Sequence, residues 1–125
     1  MSPQPYLVTA AVLVIGLGAF HSVMGEIYIV RRLLRRDNLP KLFGGDTFTK
    51  RTIRYAWHLL TIFATAIGGI LFAFSSTGES SLRVIAAILG WSFVAATVWG
   101  LASTRGRHLS WLVFLALAIL TFAAA

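Results

Sequence analysis

The feature that most limits how this chain can fold is a set of four apolar stretches, residues 6–30, 55–74, 82–102 and 109–125. At about 1.5 Å per residue, some 20 residues of helix cover the roughly 30 Å hydrocarbon core of a bilayer. Within that core every backbone N–H and C=O must find a partner in the protein, so segments of this kind fold as helices. The expectation is an all-α, polytopic integral membrane protein, a four-transmembrane-helix bundle forming a single domain over 125 residues. A hydrophobic share of 58% and a mean hydropathy of +0.81 agree, being well above those of an ordinary soluble domain. There is no cysteine, so disulfides and thiolate-bound metals are excluded. Any metal ligation falls to histidine, carboxylate or methionine.

The N-terminal Met1-Ser2-Pro3-Gln4-Pro5 has no basic n-region and reads as uncleaved. The first helix is expected to run past the hydrocarbon through Arg31, Arg32, Arg35 and Arg36 to Asn38, and to stop at Leu39-Pro40. That leaves a loop of about eight residues, as helix connections commonly have. Gly44-Gly45 makes its turn, and Asp46 N-caps a helix starting at Thr47. A polar turn containing Gly78 and Glu79 links the second and third spans, and Ser103 to His108 links the third and fourth.

Charge placement orients the chain. Of the 11 basic residues, eight lie in the basic loop 31–54, Arg105 and Arg107 lie in the last loop, and Arg83 alone lies in the middle one. By the positive-inside rule both basic loops are cytoplasmic and both termini face outward, as in a multi-pass protein of a cell inner membrane. Tyr6, Tyr55, Trp57 and Trp111 near span ends suit aromatic belts. The net charge of +7 is thereby explained by topology together with contact of Arg31, Arg32, Arg35, Arg36, Arg51 and Arg54 with anionic lipid headgroups. Nucleic acid is not an expected partner, because the aromatics a base-stacking platform needs are confined to the spans and their boundaries.

Inside the first span, Gly18-Ala19-Phe20-His21-Ser22-Val23-Met24-Gly25-Glu26 places a histidine and a carboxylate where ionisable groups are rare and raise a functional hypothesis. Counted from Val30 and Tyr55, Glu26 and His58 lie at nearly one depth, about 5 to 6 Å in, and His21 lies about 14 Å in, level with Thr65. Neighbouring antiparallel helices pack side by side, so Glu26 and His58 are expected to meet, with His21 completing the site and Ser22, Thr61 and Thr65 lining it. His21 and Glu26 are five residues apart, about 140° around an α-helix, so Glu26 has to lean toward a shared ligand. His108, among arginines at a boundary, reads as a solvated loop residue.

Four readings fit these residues. One is a structural staple in which Glu26 and His58 join two helices. A second is a proton-coupled site for transport or ion handling, in a parallel homo-oligomer because four short helices enclose no permeation path. The third is a transition metal or haem held by His21 and His58 with Glu26, and with Met24 in reach at i+3. Against it stand the absence of H-x-x-x-H or E-x-x-H spacing and the offset in depth between the two imidazoles. The fourth is a non-catalytic accessory or assembly subunit whose polar residues face a partner membrane protein. Nothing in the spacing sets a nucleophile beside a base and an orienting group, so an enzymatic role has no support at this level.

In length, span number and a lone glutamate on the first span, the chain is similar in outline to the small multidrug resistance transporters, and in size to the small fluoride channels. Those families combine a mid-span carboxylate or dual topology with a weak charge bias, whereas Glu26 sits near one end and the bias is extreme. No residue role is carried over from them. Small residues suggest close helix approach along Gly18, Ser22 and Glu26, with Ala11 outside that stripe, and along Ser92, Ala96 and Gly100. Topology is directly measurable: reporter fusions after Arg36 and after Arg107 should read cytoplasmic and one within residues 75–81 external, while mixed signals at any site would exclude a fixed orientation.

Overall fold

The computed structural model describes residues 5–77 and 82–123. Four helices follow one another: α1 over Pro5–Leu33, α2 over Thr47–Thr77, α3 over Leu82–Thr104 and α4 over Ser110–Ala123. The first three are long and apolar enough to cross a membrane, and α4, at 14 residues or about 21 Å, is shorter. The chain is an all-helical membrane protein. Each helix packs along the next, and among the described residues no Cα of α1 lies within 8 Å of α3 or α4. The expected turn at Gly78 and Glu79 and the first four residues lie outside the described part.

Several hydroxyl groups in these helices are satisfied by their own backbone, as a medium without water favours. Thr9 donates to the Pro5 carbonyl at 2.8 Å, Ser92 to Ile88 at 2.7 Å, Thr97 to Phe93 at 2.8 Å and Thr104 to Gly100 at 2.6 Å. Much of the contact between helices is made by shape. Phe63, Phe93 and Phe114 meet with ring centroids 6.1 to 6.3 Å apart and tie α2, α3 and α4 together. On α3, Gly90 receives the Phe122 ring, Ala96 and Gly100 are buried as the small-residue pattern suggests, and Ser92 is only half-buried.

The seam between α1 and α2 is tighter. Ala11, Gly18 and Gly25, spaced by seven, are the buried residues of α1 up to Gly25. A Cβ on Gly18 would lie 2.9 Å from the Ala64 methyl, and one on Gly25 would lie 2.3 to 2.5 Å from the Trp57 indole. Ala11 therefore belongs to the packed face, contrary to expectation: a heptad step returns to nearly the same side of a helix, and the Ala11 carbonyl abuts Gly68.

Two further expectations are corrected. The helical ladder of α1 stops at Leu33, not Asn38, and ends in tight turns with Arg35 N–H on the Arg32 carbonyl and Arg36 N–H on Leu33. Arg31 and Arg35, like Arg32 and Arg36, would repel at i,i+4 in a continued helix. The turn in the connection 34–46 is centred on Phe43 and Gly44, at φ 56° and 86°, and closed by paired backbone bonds between Leu42 and Gly45. Asp46 stands where the N-cap of α2 was expected, its carbonyl accepting the Lys50 N–H, and its carboxylate meets the Lys50 ammonium at 2.6 Å.

The close approach is testable by thermal unfolding in mild detergent. Gly25→Ala and Gly18→Ala should each lower stability by about 1 to 3 kcal/mol through overpacking. Gly16→Ala, with nothing within 4 Å of the added methyl, should leave it unchanged or raise it; equal loss at all three positions would contradict the packed seam.

Candidate functional site

Because Gly18 and Gly25 let the helices touch, polar groups between them come within bonding distance. Glu26 begins a π-helical turn, Glu26–Val30, inserted between the α-helical part of α1 and its last turn. In a π turn the backbone pairs residues five apart, and the Arg31 N–H duly donates to the Glu26 carbonyl. Arg31 thus stands over Glu26, and its Nε lies 3.6 Å from Glu26 Oε1. From α2, Arg54 completes a fork, with Nη2 2.9 Å from Oε1 and Nε donating to Oε2 at 3.3 Å.

His58, one turn further along α2, binds the same carboxylate, its Nε2 lying 3.0 Å from Glu26 Oε2. Its other nitrogen, Nδ1, lies 2.5 Å from the Ser22 hydroxyl. With Glu26 as the carboxylate, which only accepts, Nε2 carries the proton and Nδ1 accepts from Ser22. The Trp99 ring of α3 stands edge-on to the imidazole at 5.7 Å. Ser22, His58, Glu26 and Arg54 form one bonded row, graded from interior to surface: the side chains of His58 and Glu26 are 20% and 19% exposed, against 43% for Arg54. Beyond Arg54 the row opens onto a groove of about 410 Å³ lined by Arg31, Leu34, Arg35, Lys50 and Arg54.

The other expected members stand elsewhere. His21 stacks on Trp57, with centroids 4.5 Å apart and planes 8° from parallel, and its Nε2 is buried with no hydrogen-bond partner among the described residues. It is level with Trp57 rather than with Thr65. Trp57 also donates to the His21 carbonyl at 3.2 Å. Thr61 donates to the Gly18 carbonyl at 3.1 Å, staying on the seam, whereas Thr65 is exposed and bonds back to Thr61. Met24 is half-buried. Among the described residues no three His, Asp or Glu side chains gather to hold a metal, and His58 has both ring nitrogens engaged. The donor set expected of His21, His58, Glu26 and Met24 is therefore not assembled.

Several residues were misjudged or missed. Trp57 and Tyr55 were expected in an interfacial belt, but Trp57 fills the Gly25 notch and Tyr55 is 3% exposed. The Tyr55 hydroxyl lies 2.8 Å from that of Ser110, which lies 2.9 Å from His108 Nδ1, and the Trp99 indole donates to the Tyr55 carbonyl. His108, stacked on Phe48, is a tied residue and not a solvated one. The signal was faint: Ser110 follows His108 by two, and only folding brings Tyr55 to them. Ser22 was expected as lining, yet it is bonded directly to the imidazole.

Comparison with family models, with curated proteins and with solved structures finds no match. The functional reading rests on these side chains alone. Trp57→Phe keeps the ring against His21 but removes the N–H to its carbonyl, so it should cost about 0.5 to 1.5 kcal/mol of thermal stability in detergent. Trp57→Ala should cost more by leaving the Gly25 notch empty; equal effects would mean that the indole contributes by hydrogen bonding alone.

Proposed function

We propose that this chain is a multi-pass inner-membrane protein whose basic end faces the cytoplasm and whose α1–α2 seam holds a proton-exchange site serving transport or ion handling. The observation that carries the reading is the two-sided engagement of His58, with Ser22 at Nδ1 and Glu26 at Nε2. An imidazole bonded at both nitrogens can accept a proton at one and release it from the other. Glu26 is the natural acceptor, and the groove beside Arg54 supplies a path to water at the basic end. The π turn at Glu26 supports the reading, since such insertions in α-helices are frequent at functional sites. An ionisable pair inside a span is costly and calls for a role of this kind.

Orientation follows from the ten basic residues of the two loops at one end against Arg83 in the middle loop. Those loops share an end, as the contact of Tyr55 with Ser110 and the stacking of Phe48 on His108 require. Since α1 packs, among the described residues, only along α2, one copy encloses no path there, and transport calls for parallel copies or a partner membrane protein against the exposed faces.

A second reading is favoured by the order serine, imidazole, carboxylate, which is that of an acyl-transfer triad with the ring nitrogens exchanged. It ranks lower because Ser22 lies within the α-helical part of α1, where the ladder already uses the backbone N–H groups that an oxyanion would need.

The test is proton flux in liposomes containing the purified protein and a trapped pH dye, driven by an imposed potassium diffusion potential. The wild type should exceed empty vesicles, and Glu26→Gln with His58→Gln should fall to the empty level while keeping its helix content and elution volume. Flux retained by the double variant would reduce the pair to a staple between helices. Labelling of Ser22 by a fluorophosphonate, lost in Ser22→Ala, would instead favour the triad.

A further inference from the structure

Arg31 and Arg54 share Glu26 as an ion-pair partner at the basic end, and Lys50 pairs with Asp46. A different set of arginines is not. Arg51 of α2 and Arg105 and Arg107 of the α3–α4 connection line one pocket of about 260 Å³, and none of the three has an ion-pair partner among the described residues. Three guanidiniums brought to one pocket from two separate segments repel each other unless an anion sits among them.

The backbone is unusual at the same place. The non-glycine residues with left-handed φ in the described chain are Phe43, at 56°, and Arg105, at 52°, and both line this pocket. Such conformations cost free energy, persist where the surroundings enforce them, and cluster at functional sites. The walls are held: Phe43 meets Phe48 edge to face at 5.1 Å, Phe48 stacks on His108, and the Gly106 N–H is bonded to the Leu101 carbonyl at 3.1 Å. An adjoining open recess of about 390 Å³ shares Phe43 and Arg107 and is also lined by Leu109, so a largely apolar surface borders the cationic pocket. Phe43 and Leu109 are 77% and 68% exposed.

We infer that Arg51, Arg105 and Arg107 form a site for the phosphate of an anionic phospholipid, whose acyl chains leave along Phe43 and Leu109. The shared chemistry is a phosphate oxygen accepting forked N–H bonds, which a free phosphate ion could also supply. The apolar recess beside the arginines favours the lipid, since an inorganic ion has no use for it. The inference does not depend on the Glu26–His58 relay, whose arginines are separate.

The experiment is native mass spectrometry of the full chain in mild detergent, titrated in turn with phosphatidylglycerol, phosphatidylcholine and inorganic phosphate. Phosphatidylglycerol should be retained roughly tenfold more tightly than phosphatidylcholine, and Arg105→Gln with Arg107→Gln should abolish that preference. Arg105→Lys with Arg107→Lys, which keeps the charge and loses the fork, should reduce it in part. Lys41→Gln with Arg83→Gln removes the same charge from residues that do not line the pocket and should change it little. Helix content and elution volume establish that each variant is folded. An equal loss from the Lys41 and Arg83 pair would overturn the pocket in favour of diffuse surface charge. Retention of inorganic phosphate but not of phosphatidylglycerol, or equal retention of both lipids, would overturn the phospholipid assignment.

Discussion

The closeness of α1 to α2 is the condition on which the polar site depends. At Gly18 and Gly25 the missing side chains let Ala64 and Trp57 come against the α1 backbone, and only at that separation do short side chains such as Ser22 span the gap to His58. Burial between α1 and α2 of the kind that drives soluble folding is a poor explanation here, because lipid tails are as apolar as the side chains they would replace. What holds the seam is fit, along with a set of hydrogen bonds from α2 side chains to α1 carbonyls: Trp57 to His21 and Thr61 to Gly18. The ionisable row is laid over this framework.

Much of the architecture was legible because the bilayer restricts the possible solutions. The lengths of the apolar runs gave the helices, and counting residues inward from the charged ends placed Glu26 and His58 at one depth. The same arithmetic went wrong wherever direction around the helix mattered more than distance along it. His21 was assigned to the site as an ionisable group inside the span, deeper than Glu26 and His58, and it turns to Trp57. Thr65 was expected to line the site because it lies level with His21, yet its hydroxyl had a simpler partner in its own backbone. Ala11 was set outside the packed face by a step of four, where the observed step is seven.

The aromatic residues failed for a different reason. Tyr and Trp near span ends are usually interfacial, but an indole or phenol is also the longest neutral donor available inside a membrane protein. Trp57, Trp99 and Tyr55 all use that reach to bond groups on another helix. A sequence pattern records that such a donor is present, not which helix will receive it.

The π turn separates α1 into two lengths that keep different rotational phase. Up to Gly25 the helix is indexed to α2 by its buried small residues, and after Val30 it is indexed by its arginines. One surplus residue in the ladder lets these two patterns be set independently, like two dials on a common shaft. The face that meets α2 and the face that carries charge therefore need not share one repeat, which is why a single α-helical wheel drawn through residues 5–33 misplaces Arg31 relative to Glu26.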